Sequence, residues 1–252
     1  MAKDWYDTRP QSLWRAHSDA ANILLLSRWL PDSPVERLLK TDLFDESCGE
    51  GLHPLLLARA KNIIGMDISV FSSRIAKSRY NGLRSICADV RRLPFADGAF
   101  DVLVSNSTLD HFESRDEIMA SLRELHRVLR PGGHLLLTLD NLANPLIALR
   151  NRIPFQLLNR LRIVPYYIGA TFGPRRLRRV LQLMNFEVIE VNSLMHFPRV
   201  LGVAMARLLE RYAAAETQKS FLRLLLAFER LSESPAKYLT GHFVAAKATK
   251  CL

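Results

Sequence analysis

The sequence predicts an α/β fold built on a mostly parallel β-sheet with helices on both faces. Short apolar runs alternate with helical stretches over the first 140 residues, and a polar residue repeatedly follows the end of such a run. Parallel strands require crossover connections, and intervening helices provide them. Because ligands bind outside the carboxyl ends of the strands in such sheets, these polar residues are the first candidates for a functional site.

The composition is that of a globular protein. Of 252 residues, 48% are hydrophobic and 24% are charged, which excludes a disordered chain. No apolar run reaches the ~18 residues needed to span a bilayer, and the acidic N-terminal segment does not resemble a secretory signal. The three cysteines have no CxxC spacing, so neither a disulfide framework nor a metal site is expected. These features predict a cytoplasmic protein with one domain, residues 1–252.

Five strands are predicted in the N-terminal half. A glycine-containing turn at residues 47–51 follows the first strand and leads into a leucine-rich helical stretch, and a second helix ends at the Asn81-Gly82 stop signal. The predicted strands are 42–45, 63–67, 85–88, 101–105 and 134–139, and their ends carry Asp45, Asp67, Asp89, Asn106 and Asp140.

The clearest helix follows the fourth strand. Ser114 and Glu117 have the S-x-x-E spacing of a capping box, which satisfies backbone N–H groups at the start of a helix. Apolar residues then recur at helical spacing up to Leu129, and Pro131-Gly132-Gly133 ends the helix.

The C-terminal third is less regular. Pro174 suits the first turn of a helix that reaches Met184, because its missing N–H is not needed there. Two further strands, at 186–191 and 241–248, bring the expected sheet to seven strands. The apolar-rich segments 198–212 and 217–231 predict two helices that pack on the sheet or cap it.

Positive charge is concentrated in one segment. No acidic residue lies between Asp140 and Glu187, and the arginines there account for +8 of the net charge of +10. Apolar and aromatic side chains are interleaved with them. The pattern indicates an anionic partner, a membrane surface, or a solvated face over a hydrophobic cap. The arginines are Arg150, Arg152, Arg160, Arg162, Arg175, Arg176, Arg178 and Arg179.

The glycine-containing turn has the features of a ligand cradle. A turn between a strand and a helix presents backbone N–H groups and the positive helix end, and Gly49 and Gly51 let a ligand approach the backbone closely. Asp67 ends the next strand, where a carboxylate can accept both hydroxyls of a ribose. Ser47 and Pro54 replace the outer glycines of a GxGxxG pattern, which argues against NAD and FAD.

The segment Asp45-Glu46-Ser47-Cys48-Gly49-Glu50-Gly51 resembles the first motif of class I S-adenosylmethionine-dependent methyltransferases, of the type 11-like family. The resemblance covers roughly residues 40–140. It implies a Rossmann-like enzyme with a mostly parallel seven-stranded sheet, a helical cap and S-adenosylmethionine as its cofactor. Its further segments, in order, are Asp67, 87–90, 93–95, 100–106 and 129–133.

The resemblance also implies which residues contact the cofactor. Asp45 would organise the turn, Asp67 would bind the ribose, Asp89 would lie by the adenine amino group, and Asn106 would lie near the methionyl part. The full set of expected cofactor residues is Asp45, Ser47, Gly49, Gly51, Asp67, Ile68, Asp89, Val90 and Asn106.

Ser47 is a departure from the family pattern, which usually has glycine at this position. A serine would cost strain if the position needs a positive φ, whereas its hydroxyl could hydrogen-bond the cofactor.

The resemblance divides the chain into three parts: an N-terminal helical lid (1–40), a cofactor-binding core (41–140), and a C-terminal half with a basic cap and the last two strands (141–252). The candidates for lid positions, or for ordinary packing, are Trp5, Tyr6, Arg15 and His17.

His111 is the candidate general base. Methyl transfer requires alignment of the nucleophile, the methyl carbon and the sulfur, and a hydroxyl nucleophile benefits from a base. His111 follows the fourth strand, and histidine titrates near neutrality. It could instead hydrogen-bond the backbone at a turn. Asp110 is expected either to orient His111 or to cap a short helix, and His17 is a weaker candidate.

A small-molecule or lipid-like acceptor is expected, methylated on oxygen, with nitrogen or carbon as alternatives. Residues 144–174 should overhang the site, where arginines and apolar groups suit an anionic membrane or an acidic group on a soluble acceptor. Residues 106–109 lack the (Asp/Asn)-Pro-Pro-aromatic motif common in base N-methyltransferases, and no cysteine follows a proline. A nucleic-acid methyltransferase and a non-catalytic binding domain are the alternatives.

Overall fold

The computed structural model describes residues 12–160, 167 and 169–252, so Trp5, Tyr6 and Arg162 lie outside the described residues. The strands are β1 (Val35–Lys40), β2 (Ala60–Asp67), β3 (Arg84–Cys87), β4 (Phe100–Asn106), β5 (Leu129–Asp140), β6 (Phe186–Leu194) and β7 (Phe243–Lys250). The helices are α1 (Ser12–Trp29), α2 (Phe44–Cys48), α3 (His53–Arg59), α4 (Val70–Arg79), α5 (Arg115–Val128), α6 (Pro145–Arg150), α7 (Phe155–Arg160), α8 (Pro174–Leu183), α9 (Arg199–Tyr212), α10 (Ala215–Ala227) and α11 (Lys237–Thr240), with 3₁₀ segments at Leu109–His111 and Phe228–Glu233.

The strands form one sheet in the order β3-β2-β1-β4-β5-β7-β6. Strands β1 to β5 pair in parallel, whereas β7 is antiparallel to both of its neighbours. The chain reverses its order across the sheet between β1 and β4, which opens a crevice outside the carboxyl ends of these two strands. The predicted Rossmann-like, mostly parallel seven-stranded sheet is confirmed.

Alternation along the central strands supplies two hydrophobic cores. Val102 and Val104 of β4 pack on the face covered by α1, α3, α9 and α10, while Leu103 between them packs on the face covered by α5 and α8. The two helices expected either to pack on the sheet or to cap it therefore pack on it, together with α1. The second of them ends at Ala227 and continues as a 3₁₀ segment.

Local signals explain where α5 begins. Ser114 Oγ accepts a hydrogen bond from the Glu117 N–H at 3.3 Å, and the Glu117 carboxylate accepts one from the Ser114 N–H at 3.1 Å. This reciprocal pair is the predicted capping box.

The first strand was predicted wrongly. It lies at Val35–Lys40 rather than at 42–45, and residues 44–48 form the short helix α2. Glu36 and Arg37 are exposed, so the strand lacks the continuous apolar run expected of an interior strand. The predicted lid segment, residues 1–40, thus includes β1. The other six strands overlap their predicted segments.

Candidate cofactor and acceptor site

The carboxyl ends of β1 and β4 are joined by side-chain hydroxyls. Thr41 Oγ1 donates to Ser105 Oγ at 2.9 Å and lies 3.0 Å from Thr108 Oγ1. These contacts fix the two sides of the crevice at the point where the strand order reverses. The predicted site residues lie in the loops around this point.

A buried ion pair organises the glycine-containing turn from the inside. Lys40 Nζ lies 2.7 Å from Glu46 Oε2, and the two side chains are only 2% and 1% exposed. Glu46 Oε1 also accepts the Leu52 N–H at 2.9 Å. Gly51 has φ +58°, and a Cβ atom there would lie 2.8 Å from the Glu46 carboxyl group. The turn therefore requires glycine at position 51.

Lys40 and Glu46 were missed by the sequence analysis. A lysine at the end of an apolar run and a glutamate six residues later carry no signal of pairing until the turn brings them together. Burial works against the charged form of Lys40, but Glu46, Asp42 and Asp45 hold the pKa of its ammonium group above the usual value.

Ser47 occupies its position without strain. Its hydroxyl donates to the Phe44 carbonyl at 2.6 Å, and the side chain is buried. The positive φ in this turn belongs to Gly51 rather than to Ser47. Serine in place of the usual glycine thus costs no left-handed backbone conformation here, and its hydroxyl is engaged within α2.

Helix α1 lies against the glycine-containing turn. Asp19 Oδ2 accepts the Gly51 N–H at 3.1 Å, and Arg15 Nη1 lies 3.6 Å from Asp45 Oδ1. Burial, together with the nearby Asp45 charge, raises the pKa of Asp19 to about 7. Arg15 was a predicted lid candidate, whereas Asp19 was not singled out.

Two carboxylates meet beyond β1 and β2. Asp67 Oδ2 accepts the Leu43 N–H at 3.2 Å, and Oδ1 accepts the Ser69 N–H at 2.7 Å. Burial raises the pKa of Asp42 well above its usual value; Lys40 opposes the rise and Asp67 adds to it. Burial also raises the pKa of Asp67 against its two hydrogen bonds. Ile68, which follows, is 67% exposed and offers apolar surface at the edge.

Asp89 is held by a neighbouring arginine. Arg91 Nη2 lies 2.6 Å from Asp89 Oδ2, and its Nε lies 3.0 Å from Oδ1. The hydrogen bonds from Arg91 lower the pKa of Asp89. Val90 is buried in the core behind the loop. A ligand amino group that reaches Asp89 must therefore share it with Arg91.

The segment after β4 is fixed by hydrogen bonds to β5. Thr138 Oγ1 donates to Asn106 Oδ1 at 3.2 Å, and Ser107, with φ +46°, donates its N–H to the Thr138 carbonyl at 3.1 Å. A non-glycine residue with positive φ is uncommon and is held here by its surroundings.

The Asp110 carboxylate holds this loop through hydrogen bonds. Its carboxylate accepts the Ser107 hydroxyl at 2.9 Å and the Asp140 N–H at 2.9 Å. Burial and the nearby Asp140 carboxylate raise the pKa of Asp110. Burial acts against ionisation of Asp140 too, but His242 and Arg150 hold its pKa well below the usual range.

His111 is exposed at the end of the 3₁₀ turn after β4. Its Nδ1 lies 3.4 Å from the carbonyl oxygen of Tyr167. The chain there is held by backbone bonds from Gly169 N to Asp110 O, at 2.9 Å, and from Ala170 N to Phe112 O, at 2.7 Å. The residues that precede α8 therefore run alongside the loop that carries His111.

His17 lies in the core, away from the crevice. It is fully buried, its ring packs against Trp14 with centroids 5.0 Å apart, and its Nε2 is 3.5 Å from Glu229 Oε1. This placement favours its packing role.

The basic segment divides between two locations. Arg150 pairs with Asp140 at the carboxyl edge. Helix α8 packs against the sheet through Leu177, Val180 and Leu181, and its arginines lie on its exposed side. These exposed arginines are Arg175, Arg176, Arg178 and Arg179.

The chemistry of the donor set fits a cationic nucleoside-containing ligand. Asp42, Asp45 and Asp67 lie together beside the crevice, and exposed apolar surface at Ile68 lies next to them. Within the described ranges, no group of three or more His, Cys, Asp or Glu side chains could hold a metal ion. No helix in that part of the chain is both long and apolar enough to cross a membrane.

A parallel sheet with one antiparallel strand beside its edge and a carboxylate-rich crevice at the switch point is a Rossmann-like arrangement. Comparison with known proteins shows which family the chain resembles. Residues 44–137 match the family model described as a methyltransferase domain. A probable S-adenosylmethionine-dependent methyltransferase of Mycolicibacterium smegmatis is 25% identical over 182 residues, 72% of this chain and 63% of that protein. Residues 44–137 therefore resemble the methyltransferase domain, and the chain is similar to S-adenosylmethionine-dependent methyltransferases.

Two further similarities concern proteins with different acceptors in their names. A probable tRNA methyltransferase 9B of Bos taurus is 32% identical over 93 residues, 37% of this chain and 20% of that protein. The structure of a possible histamine N-methyltransferase from Thermotoga maritima superimposes with a TM-score of 0.62 at 17% identity, covering 98% of this chain and 93% of that one. The matched region is less than two thirds of the length of both sequence relatives.

Proposed function

We propose that this protein transfers the methyl group of S-adenosylmethionine to an oxygen atom of a small-molecule or lipid-like acceptor, with nitrogen or carbon acceptors as alternatives. The observation that carries the proposal is the position of an exposed histidine, His111, beside a crevice that collects carboxylates. The cofactor supplies an activated methyl group. The protein therefore has to bind the two substrates, align the nucleophile with the methyl carbon and the sulfur, and accept a proton.

The carboxylate side of the crevice is the proposed cofactor half. Asp67 would accept the ribose hydroxyls beside Asp42, with Ile68 against the purine. Asp89 would reach the adenine amino group in competition with Arg91. The positive charge of the cofactor's sulfonium and ammonium groups would favour the ionised forms of Asp42 and Asp67, whose pKa values burial otherwise raises.

The remaining sequence-predicted residues have supporting roles in this proposal. Asp45 and Gly49 border the methionyl end, Ser47 and Gly51 hold the turn through interior contacts, and Val90 and Asn106 close the crevice from the core side. Each role agrees with the burial and the hydrogen bonds described above.

His111 is the proposed base in the acceptor half. With the proton on Nδ1 and directed towards the Tyr167 carbonyl, Nε2 is the nitrogen that would accept a proton from a hydroxyl nucleophile. Asp110 acts as a positioning residue, because its hydrogen bonds fix the loop that carries His111.

The first test is calorimetric titration with S-adenosylmethionine and S-adenosylhomocysteine. We expect micromolar binding by the wild type, and at least a tenfold weaker affinity for Asp67→Ala, since one charge-assisted hydrogen-bonding group is worth about 1.5–3 kcal/mol. Asp32→Ala removes a fully exposed carboxylate and is the matched control. Absence of binding by a folded wild type would overturn the proposal.

The second test follows transfer of a labelled methyl group to acceptors with hydroxyl, amine and carboxyl groups. His111→Gln should lower kcat by about 10²–10⁴ for a hydroxyl acceptor. Its affinity for the cofactor should stay unchanged. An undiminished kcat would assign proton removal to another group or to solvent.

A non-catalytic cofactor-binding domain is the second candidate, and one observation favours it. The N–H groups of Ser47, Gly49, Gly51 and Leu52 all donate to partners within the protein. A cofactor that needs these donors has to displace Asp19 from Gly51. Cofactor binding without turnover on any acceptor class would support this candidate, and salt-sensitive RNA affinity with methyl transfer to RNA would support a nucleic-acid substrate.

A further inference from the structure

Six large apolar side chains are exposed around the acceptor side of the crevice. They lie on the two short helices after β5, on the short helix before β7 and at the start of α9, and their exposed fractions run from 48% to 72%. Single exposed leucines are ordinary, but a group of this size marks an interaction surface on a soluble protein. The residues are Leu146, Leu149, Leu157, Val200, Leu201 and Leu239.

The elements that carry these side chains meet at one place in the fold. Asn144, at the start of α6, donates to the Gly241 carbonyl at 3.1 Å after α11. His196, just before α9, lies 2.7 Å from the Thr240 hydroxyl through its Nδ1. Gly241 lies two residues before β7, whose first residue pairs with Asp140 at the end of β5. The apolar groups therefore surround the carboxyl end of β5 and the amino end of β7.

The charge of the same segments has one sign. Residues 141–186, 195–209 and 234–252 contain 13 Arg and Lys and no Asp or Glu, whereas the rest of the chain has 22 basic and 25 acidic residues. Arg152 and Arg160 are exposed next to the leucines of α6 and α7, and Lys237 is half-buried beside Leu239. The surface thus combines apolar side chains with basic ones and carries no acidic side chain.

We propose that this surface, the edge surface formed by α6, α7, α11 and the first turn of α9, docks on an anionic lipid bilayer. Leucines and valines would enter the headgroup–acyl boundary while the arginines contact lipid phosphates. A second copy of this chain is disfavoured as the occupant, because a two-fold contact would place like charges opposite one another. The docking itself is independent of catalysis; its consequence for acceptor choice rests on the proposed function.

Docking at this surface would place the His111 loop at the bilayer. Asp110, which precedes His111, accepts the N–H of Asp140 at the end of β5, where the edge surface begins. An acceptor that resides in the membrane could then reach the crevice without crossing water. The arginines on the outer side of α8 are a separate patch in this arrangement.

The test is co-sedimentation of the full chain with vesicles of phosphatidylcholine alone or with about one third phosphatidylglycerol. We expect binding to the anionic vesicles only. Leu146→Ser/Leu149→Ser should reduce the partition coefficient by roughly tenfold or more, as two apolar side chains lose their burial. Leu57→Ser/Leu183→Ser removes two similarly exposed leucines elsewhere. This control should keep the partition coefficient within about twofold of the wild-type value.

Each outcome decides the proposal. No binding to anionic vesicles, or equal binding by the two double variants, would overturn it, and so would a dimer that only the first variant dissociates. Calorimetric titration with S-adenosylmethionine is run on the same preparations. A protein that binds vesicles but no cofactor would refute the proposed function and leave the docking surface intact.

Discussion

Asp19→Asn tests whether α1 and the glycine-containing turn share a buried acid. The pKa of Asp19 rises from 3.8 to about 7 in the folded protein because of burial and the Asp45 charge. The folded state thus holds a proton that the unfolded state has released between these two pH values. Stability is lost as pH rises through this window, by about 1.4 kcal/mol for each pH step.

The size of the stability change depends on how much of the pH range between 3.8 and about 7 the experiment covers. Between pH 5 and pH 8, only the interval up to pH 7 contributes, so Asp19 should cost the wild type about 3 kcal/mol at most. Partial exposure of the side chain to solvent reduces this to about 1.5 kcal/mol. Asparagine carries no charge at either pH, and its carbonyl oxygen can still accept the Gly51 N–H.

Urea unfolding at pH 5 and pH 8 measures the effect. Asp19→Asn should gain about 1.5–3 kcal/mol relative to the wild type between the two pH values, with an unchanged m-value. Asp32→Asn changes a fully exposed carboxylate and should show no such gain in the free energy of unfolding. Equal pH dependence in wild type and Asp19→Asn, or a variant less stable at pH 8, would refute the placement of this acid.

Three other substitutions test the turn and the scaffold by thermal and urea unfolding. Lys40→Ala should cost about 3–5 kcal/mol because it leaves Glu46 buried and unpaired, and the double change Lys40→Met/Glu46→Gln should recover most of it; no recovery would contradict the ion pair. Gly51→Ala should cost about 1–3 kcal/mol, since φ is positive and a Cβ contacts Glu46, and wild-type stability would refute this crowding. Ser114→Ala should cost about 1 kcal/mol through loss of the capping box and leave cofactor affinity unchanged; a fall in affinity would mean that α5 contributes to the site.

Secondary structure was predictable where one signal dominated. The capping box and leucine spacing defined α5, and the strands that end at Asp67, Asn106 and Asp140 lie in predicted segments. The prediction was wrong at β1, because Glu36 and Arg37 near the start of this strand are exposed and polar. Even an interior strand can have exposed polar residues where it begins, and Lys40 is tolerated at its other end because Glu46 pairs with it.

For the candidate site, the sequence predicted which residues lie at the carboxyl edge but not which side chains they contact. Motif order placed Asp67, Ile68, Asp89 and Asn106 at the carboxyl edge, and the fold puts them there. Their partners came from distant parts of the chain and had no sequence signal. Asp19 reaches Gly51 from a helix that precedes the sheet.

The sequence by itself determined the fold class: alternating strands and helices require parallel crossovers, and the ordered motifs resemble those of class I methyltransferases. Only the tertiary structure decided which charges are paired, which are buried and which form a surface. It placed the α8 arginines on the exposed side of that helix and assembled an acid-free surface from three distant segments. The physical reason is that local propensity and periodicity act over a few residues, whereas burial and charge pairing depend on groups that meet only when the sheet has formed.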